Sequence, residues 1–246
     1  MRKLILHIPH SSTLIPFMDG YCVSEEILGQ EIIKLTDWYT DDLFENETDT
    51  SIKAPFSRIF CDTERFSDDK HEIMAQHGMG VLYEKTDTGE PLRRISPELR
   101  QRILDNYYWK HHTNLSESVS LQLEQLGSAT IVDCHSFPSK PLIRALDQSS
   151  FRPDFTIGTD DYHTPQKWID ASISFFKAKG FTLGVDRPYS GTMVPMQFYK
   201  KNKKVQSIML EINRKLYLNE PANEKSIRYQ EIKQIAQEYL FTIRNL

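Results

Sequence analysis

The stretch that most restricts the fold is Ala129-Thr130-Ile131-Val132-Asp133-Cys134-His135-Ser136. It follows turn residues at Gly127-Ser128, runs through β-branched apolar residues and ends abruptly in polar ones. Such a run reads as a buried strand of an α/β sheet, with its polar cluster at the carboxyl end. Ligands of open α/β sheets bind in the crevice outside those ends. Leu4-Ile5-Leu6-His7-Ile8-Pro9-His10-Ser11-Ser12 has the same form. Two strands thus each deliver a histidine to one edge, where an imidazole can ligate a metal or move a proton, the alternative being a hydrogen-bonded edge residue.

Helical and strand patterns alternate along the rest of the chain. Ser24 caps a helix that opens with Glu25 and Glu26 and carries apolar residues at helical spacing to about Phe44. Asp37 and Asp41 lie four apart within it and share a face, which reads as a solvated acidic patch. Ile52 to Phe60 reads as a strand leading into Cys61-Asp62-Thr63-Glu64-Arg65. Residues 67–95 form a long charged, irregular stretch of the kind that serves as a lid or binding loop. Ser96-Pro97 opens the longest helix, which runs toward Leu126 either unbroken or with a break near His111-His112. Those two rings point to different helix faces and are read as structural. Phe155–Thr159, Phe181–Val185 and Val205–Ile212 are further strands, and a terminal helix covers about Asn223 to Ile243. Alternating strands and helices predict an α/β fold with a mostly parallel sheet. The segment from Phe181 to Ile212 looks like adjacent, antiparallel strands, which would make the sheet mixed.

The 246 residues and the absence of a compositional break predict a single domain over 1–246. A formal net charge of −4 argues against a nucleic-acid partner. The one dense basic run, Lys200, Lys201, Lys203 and Lys204 around Asn202, reads as a solvated hairpin tip. Cys22, Cys61 and Cys134 are scattered, as reduced thiols are, and form neither a disulfide framework nor a Cys-only zinc site. Arg2 and Lys3 precede too few apolar residues for a signal-peptide core, and no stretch is long enough to span a membrane. A cytoplasmic location is the default expectation.

The strand ends bring His10, Asp62 with Arg65, His135 and Glu211 with Arg214 to one edge. Two imidazoles, several carboxylates and several guanidiniums suit a hydrolytic metal site. Catalytic zinc takes three protein ligands and leaves one position for water. A nearby carboxylate, here Glu211, can take the proton of that water. The alternative for Glu211 is a buried salt bridge to Arg214.

Ile8-Pro9-His10-Ser11-Ser12, Thr36-Asp37-Trp38, Asp62-Thr63-Glu64-Arg65, Asp133-Cys134-His135-Ser136, Pro188-Tyr189-Ser190-Gly191 and Leu210-Glu211-Ile212-Asn213-Arg214 resemble the N-formylglutamate amidohydrolase family, in its motif order and over most of the chain. That family is similar in plan to zinc carboxypeptidases and zinc-dependent muramoyl-alanine amidases. The resemblance implies a phosphorylase/hydrolase-like α/β fold, a mixed, mostly parallel sheet with helices on both faces, and one Zn2+ per chain. It implies His10 and His135 as ligands, with Asp37 as the third and Asp62 as the fallback. It further implies Glu211 as the catalytic carboxylate and Arg65 and Arg214 as grips on substrate carboxylates. Arg144, Tyr189 and Gly191 complete the expected substrate-binding set. Ser12 and the Asp186-to-Thr192 loop depart from the family pattern, and the second departure bears on substrate identity more than on zinc chemistry.

The leading expectation is a zinc-dependent hydrolase of N-formyl-L-glutamate or a related N-acyl amino acid, of the kind used in histidine degradation. The partner is a small molecule. A peptide or cell-wall amidase on the same zinc site is an alternative. A metal-free binding protein for an acidic small molecule is another.

Overall fold

The computed structural model describes residues 3–246, so Arg2 of the N-terminal flank lies outside the described residues. Among the described residues the central sheet is built from β1 (Ile5–Ile8), β2 (Thr50–Lys53), β3 (Ala129–Phe137), β4 (Phe155–Gly158), β5 (Leu183–Val185) and β6 (Val205–Asn213). Their order is β2-β1-β3-β6-β4-β5. Neighbours are parallel except β4 against β6. The sheet is therefore mixed, but not by the expected pairing. β5 does not lie beside β6, because β4 inserts between them and pairs with both. The lysine-rich 200–204 segment accordingly is no hairpin tip between neighbouring strands.

The two faces of the sheet differ by sequence parity, as side chains alternate along a strand. Leu4, Leu6, Ile8, Val132, Cys134, Ile208, Leu210 and Ile212 share one apolar core. It is covered by α2 (Thr40–Phe44), α5 (Gln166–Ala178) and α6 (Tyr229–Arg244) through Phe44, Trp168, Phe176 and Tyr239. The opposite face begins apolar, with Ile5, Ala129, Ile131 and Val205 under Leu115 and Val119 of α4 (Trp109–Leu126). Toward the carboxyl ends the same face becomes polar. His7 stands beside Asp133, and His135 beside Glu211, as register partners. This change of character along one face creates the site.

Several elements differ from expectation for identifiable reasons. α1 (Glu25–Leu35) is capped by Ser24, whose side chain accepts from Ile27 N, but it stops at Thr36. The backbone N–H of Asp37 donates to His10 O, and Tyr39 takes a left-handed conformation (φ 62°) before α2 begins. Asp37 thus sits in a break rather than on a helix face, and it is buried rather than part of a solvated patch with Asp41. The strand expected over 52–60 ends at Lys53. Pro55 follows, and residues 57–61 close turns through Phe60 N and Cys61 N to Ser57 O. The long helix opens as α3 (Pro97–Ile103), capped by Ser96. It passes through a π turn at Leu104–Tyr108 rather than breaking at His111-His112, and ends at Gly127 with φ 73°. All three cysteines are unpaired, with Cys61 and Cys134 buried. Among the described residues no helix is long and apolar enough to cross a membrane.

Candidate metal and substrate site

His10 stands two residues beyond the end of β1, and His135 near the carboxyl end of β3; both are buried. Each turns Nδ1 toward Asp37 and ties Nε2 to another carboxylate. His135 Nδ1 lies 3.1 Å and His10 Nδ1 3.6 Å from Asp37 Oδ2. His10 Nε2 is 2.8 Å from Asp62 Oδ1, and His135 Nε2 is 3.0 Å from Asp133 Oδ1. A carboxylate on the outer nitrogen fixes the tautomer whose inner nitrogen is a free lone pair. His10 Nδ1 is buried with no hydrogen-bond partner. A bare buried imidazole nitrogen facing a carboxylate and a second imidazole suits a cation.

The helix break delivers Asp37. Arg214 Nη2 donates to its Oδ1 at 3.1 Å, and Ser136 N to its Oδ2 at 3.3 Å. Burial opposes its charge, yet the adjoining His10 and His135 rings hold its carboxyl well below the usual range. Asp62 is arranged differently. It accepts from Arg58 Nη2 (2.8 Å), Tyr83 Oη (2.8 Å), Glu64 N and the outer nitrogen of His10. It stands behind His10, whereas Asp37 stands between the two imidazoles.

Glu211 is the register partner of His135 on β6, and its Oε2 is buried without a hydrogen-bond partner. Burial, with the negative charge of Asp37 adding to it, pushes its pKa up to about 8 against the pull of His135, Arg58 and Arg214. No salt bridge joins it to Arg214. That guanidinium donates through Nε to Ser136 Oγ, through Nη1 to Lys34 O and through Nη2 to Asp37. All three nitrogens are engaged in the protein, and Arg214 also lines the cavity beside them.

A cavity of about 390 Å³ is lined by His10, Asp37, His135 and Glu211, and by Arg58, Arg65, Arg144 and Tyr189. Arg65 lies 3.6 Å from Asp62 through Nε, which has no hydrogen-bond partner. Arg144 is anchored by Nη1 to His77 O at 2.8 Å. Gly191 is not part of the wall; its left-handed φ of 83° turns the loop that follows Tyr189. Asp186 folds that loop by accepting from Thr159 N and Gly191 N and does not face the cavity. Residues 67–95 supply one wall through Met74, Met79 and Asp87, as a binding loop would.

Sequence reasoning missed Arg58, Asp133 as a support and His7. Arg58 was hidden because its segment read as a strand, although its spacing of four from Asp62 was a usable sign. His7 is out of pattern in an apolar strand. Its Nδ1 lies 2.8 Å from Asp133 Oδ1, and its Nε2 lies 2.8 Å from His111 Nε2, so His111 is not merely a packed helix residue. Burial opposes charge on His7, but the neighbouring carboxylates of Asp133 and Glu64 hold its pKa at about 9.

His112 points elsewhere and packs on Tyr108, with ring centroids 4.2 Å apart. Burial, with the positive charge of His7 adding to it, pushes its pKa from 6.5 down to about 4. The unfolded chain therefore binds this proton more tightly than the folded one. The stabilising contribution is whole above pH 6.5 and is lost as the pH falls toward 4. His112→Phe keeps a packed ring and should make that loss shallower by about 2 kcal/mol at pH 4. Urea midpoints at pH 7 and 4 check this, and equal slopes for both proteins would refute it.

Paired imidazoles, an unpartnered buried carboxylate and several guanidiniums around one cavity of an α/β sheet are the equipment of a hydrolase acting on a small polar amide. Known proteins carry this further. The family profile for N-formylglutamate amidohydrolase matches residues 2–218, and the chain belongs to that family. It is 25% identical over 194 residues to an N-formylglutamate deformylase of Pseudomonas putida, covering 75% of this chain and 71% of that one. The crystal structure of an N-formylglutamate amidohydrolase from Ralstonia eutropha superposes with a TM-score of 0.85 at 22% identity, over 100% of this chain and 96% of the other. A gene product of Agrobacterium tumefaciens gives a TM-score of 0.67 at 18% identity, over 98% and 90% of the two chains. The two structural likenesses bear on the fold.

Proposed function

We propose that this chain is a zinc-dependent amidohydrolase that cleaves the formyl amide of N-formyl-L-glutamate or a closely related N-acyl amino acid. The observation that carries the reading is the convergence of His10 Nδ1, Asp37 Oδ2 and His135 Nδ1, with both outer imidazole nitrogens anchored and the His10 nitrogen bare. These three residues would hold the ion. A zinc ion there would supply Lewis acidity, polarising the formyl carbonyl and lowering the pKa of a water to about 7. Asp62 and Asp133 serve as the outer carboxylates that set the imidazole tautomers.

Glu211 takes the proton of the attacking water and returns it to the leaving amide nitrogen. Its buried Oε2, which no protein group occupies, is free to accept and then to donate the proton. Arg58 lines the cavity with Nη1 4.0 Å from Asp37 Oδ1, which supports a role for it in stabilising the developing oxyanion. Arg65 and Arg144 bind the substrate carboxylates, since a guanidinium matches a carboxylate with two parallel donors. Arg214 acts on Asp37, holding it between the imidazoles. Tyr189 lines the substrate side of the cavity.

The test is formate release from N-formyl-L-glutamate by zinc-replete protein, with and without a chelator. Chelator-sensitive release is the expected result. Release that survives complete zinc removal would refute the metal reading. Binding of N-formyl-L-glutamate without zinc uptake or turnover would favour a binding protein instead.

A further inference from the structure

The hydrogen bonds behind His135 do not end at Asp133. Asp133 Oδ1 meets His135 Nε2 at 3.0 Å and His7 Nδ1 at 2.8 Å, while its Oδ2 accepts from Met193 N at 2.9 Å. His7 Nε2 continues to His111 Nε2 at 2.8 Å. The row crosses three elements, β3, β1 and α4, and lies wholly inside the protein. His7 and Asp133 are fully buried, and His111 is 4% exposed. Neither His7 nor His111 lines the cavity, so neither touches substrate.

A histidine facing inward from an apolar strand carries a desolvation cost that an aliphatic residue would avoid. Here both ring nitrogens are partnered by residues far apart in sequence, which requires aligned elements. The β1–β3 register sets His7 opposite Asp133. On α4, His111, Leu115, Val119 and Gln122 form one buried stripe, so the side that packs on the sheet brings His111 to His7. The π turn at Leu104–Tyr108 immediately precedes that stripe and sets its phase relative to α3. Such turns recur at functional sites.

We propose that His7 and His111 are positioning residues for the metal ligand His135. The inference rests on the zinc reading above. For His135 to offer its Nδ1 lone pair, its proton must sit on Nε2 and be held by a fixed acceptor. Asp133 Oδ1 is that acceptor. Met193 N pins one oxygen of the carboxylate and His7 pins the other, so the plane of the carboxylate cannot turn. His111 in turn holds the His7 ring. Glu64 Oε1 lies 3.1 Å from the same His7 nitrogen and offers a competing acceptor, which makes the anchorage at His111 matter.

The experiment compares zinc affinity, by competition with a chromophoric chelator, among wild type, His7→Leu, His7→Asn and His111→Leu. The visible spectrum of the cobalt-substituted proteins and the thermal unfolding of the zinc-free proteins are read alongside. His7→Leu should weaken zinc binding about tenfold, as loss of an outer partner does, and shift the cobalt bands. His7→Asn keeps an N–H donor toward Asp133 and should recover most of the affinity. His111→Leu should show the same change in smaller measure, and it serves if His7→Leu does not fold. Wild-type affinity and spectrum in both leucine variants would overturn the inference while leaving the zinc reading intact. So would an asparagine variant no better than the leucine one. Uptake of two zinc ions per wild-type chain would also overturn it, because His7, Glu64 and Asp133 lie close enough together to act as ligands themselves. A wild-type chain that bound no zinc would remove the zinc reading and this inference with it.

Discussion

Glu211→Gln is expected to lower turnover by about a thousandfold while the protein still binds one zinc ion, since a positioned general acid–base contributes roughly 10²–10⁴ in rate. Glutamine keeps the shape and the polar tip but cannot take up a proton. Glu211 lies outside the His10–Asp37–His135 cluster, so zinc content measures the fold of the site separately from its chemistry. Stability supplies a further check. In zinc-free protein the folded-state pKa of about 8 exceeds the ordinary 4.5. The folded state therefore binds the Glu211 proton more tightly than the unfolded chain does. That contribution to stability is present below pH 4.5 and is lost as the pH rises through 8. Glutamine is permanently neutral, so the zinc-free variant should keep more stability at pH 8 than zinc-free wild type. Normal turnover in Glu211→Gln would remove the mechanism.

His135→Ala is the second large effect. It takes away one of two imidazoles in the cluster and separates Asp37 from Asp133, which share that ring through Nδ1 and Nε2. Zinc affinity should fall by more than the roughly 100-fold upper range for an outer partner. Activity should vanish at stoichiometric zinc. The fold should weaken as well, by about 2 kcal/mol, because the buried carboxylates of Asp37 and Asp133 each lose a hydrogen-bond partner. Elemental analysis after gel filtration reads the metal directly. Stoichiometric zinc retained by His135→Ala would break the ligand assignment.

Much of this site was legible in the chain because two of its residues interrupt a strong pattern. His10 and His135 stand where apolar β-branched runs turn polar, and that signal is local. Asp37 gave no such signal. The apolar spacing of Ile27, Leu28, Ile32, Leu35, Tyr39 and Leu43 fits one unbroken helix, and neither Thr36 nor Trp38 is a breaker. The break comes from distant partners, His10 O on the Asp37 amide and Arg214 on its carboxylate. Only the resemblance brought Asp37 forward. Arg214 is assigned to a substrate carboxylate only through the resemblance, and nothing local in sequence reveals its partners at residues 34, 37 and 136. The mixed character of the sheet was foreseen, but the strand order was not. Three-residue β5 carries no mark that it pairs with β4 and not with β6.

The parity of β3 has a consequence for insertions and deletions. Its odd positions carry Asp133 and His135, while Val132 and Cys134 at even positions lie in the apolar core. Removing one residue between Ala129 and Val132 would slide the pairing by one and turn every later side chain to the opposite face. The core would then receive two charged groups, and the site two apolar ones. The stretch 138–150, exposed or half-buried throughout, carries no such phase constraint. Changes of length that alter what the cavity accepts can accumulate there, while the three central strands can vary only by substitution.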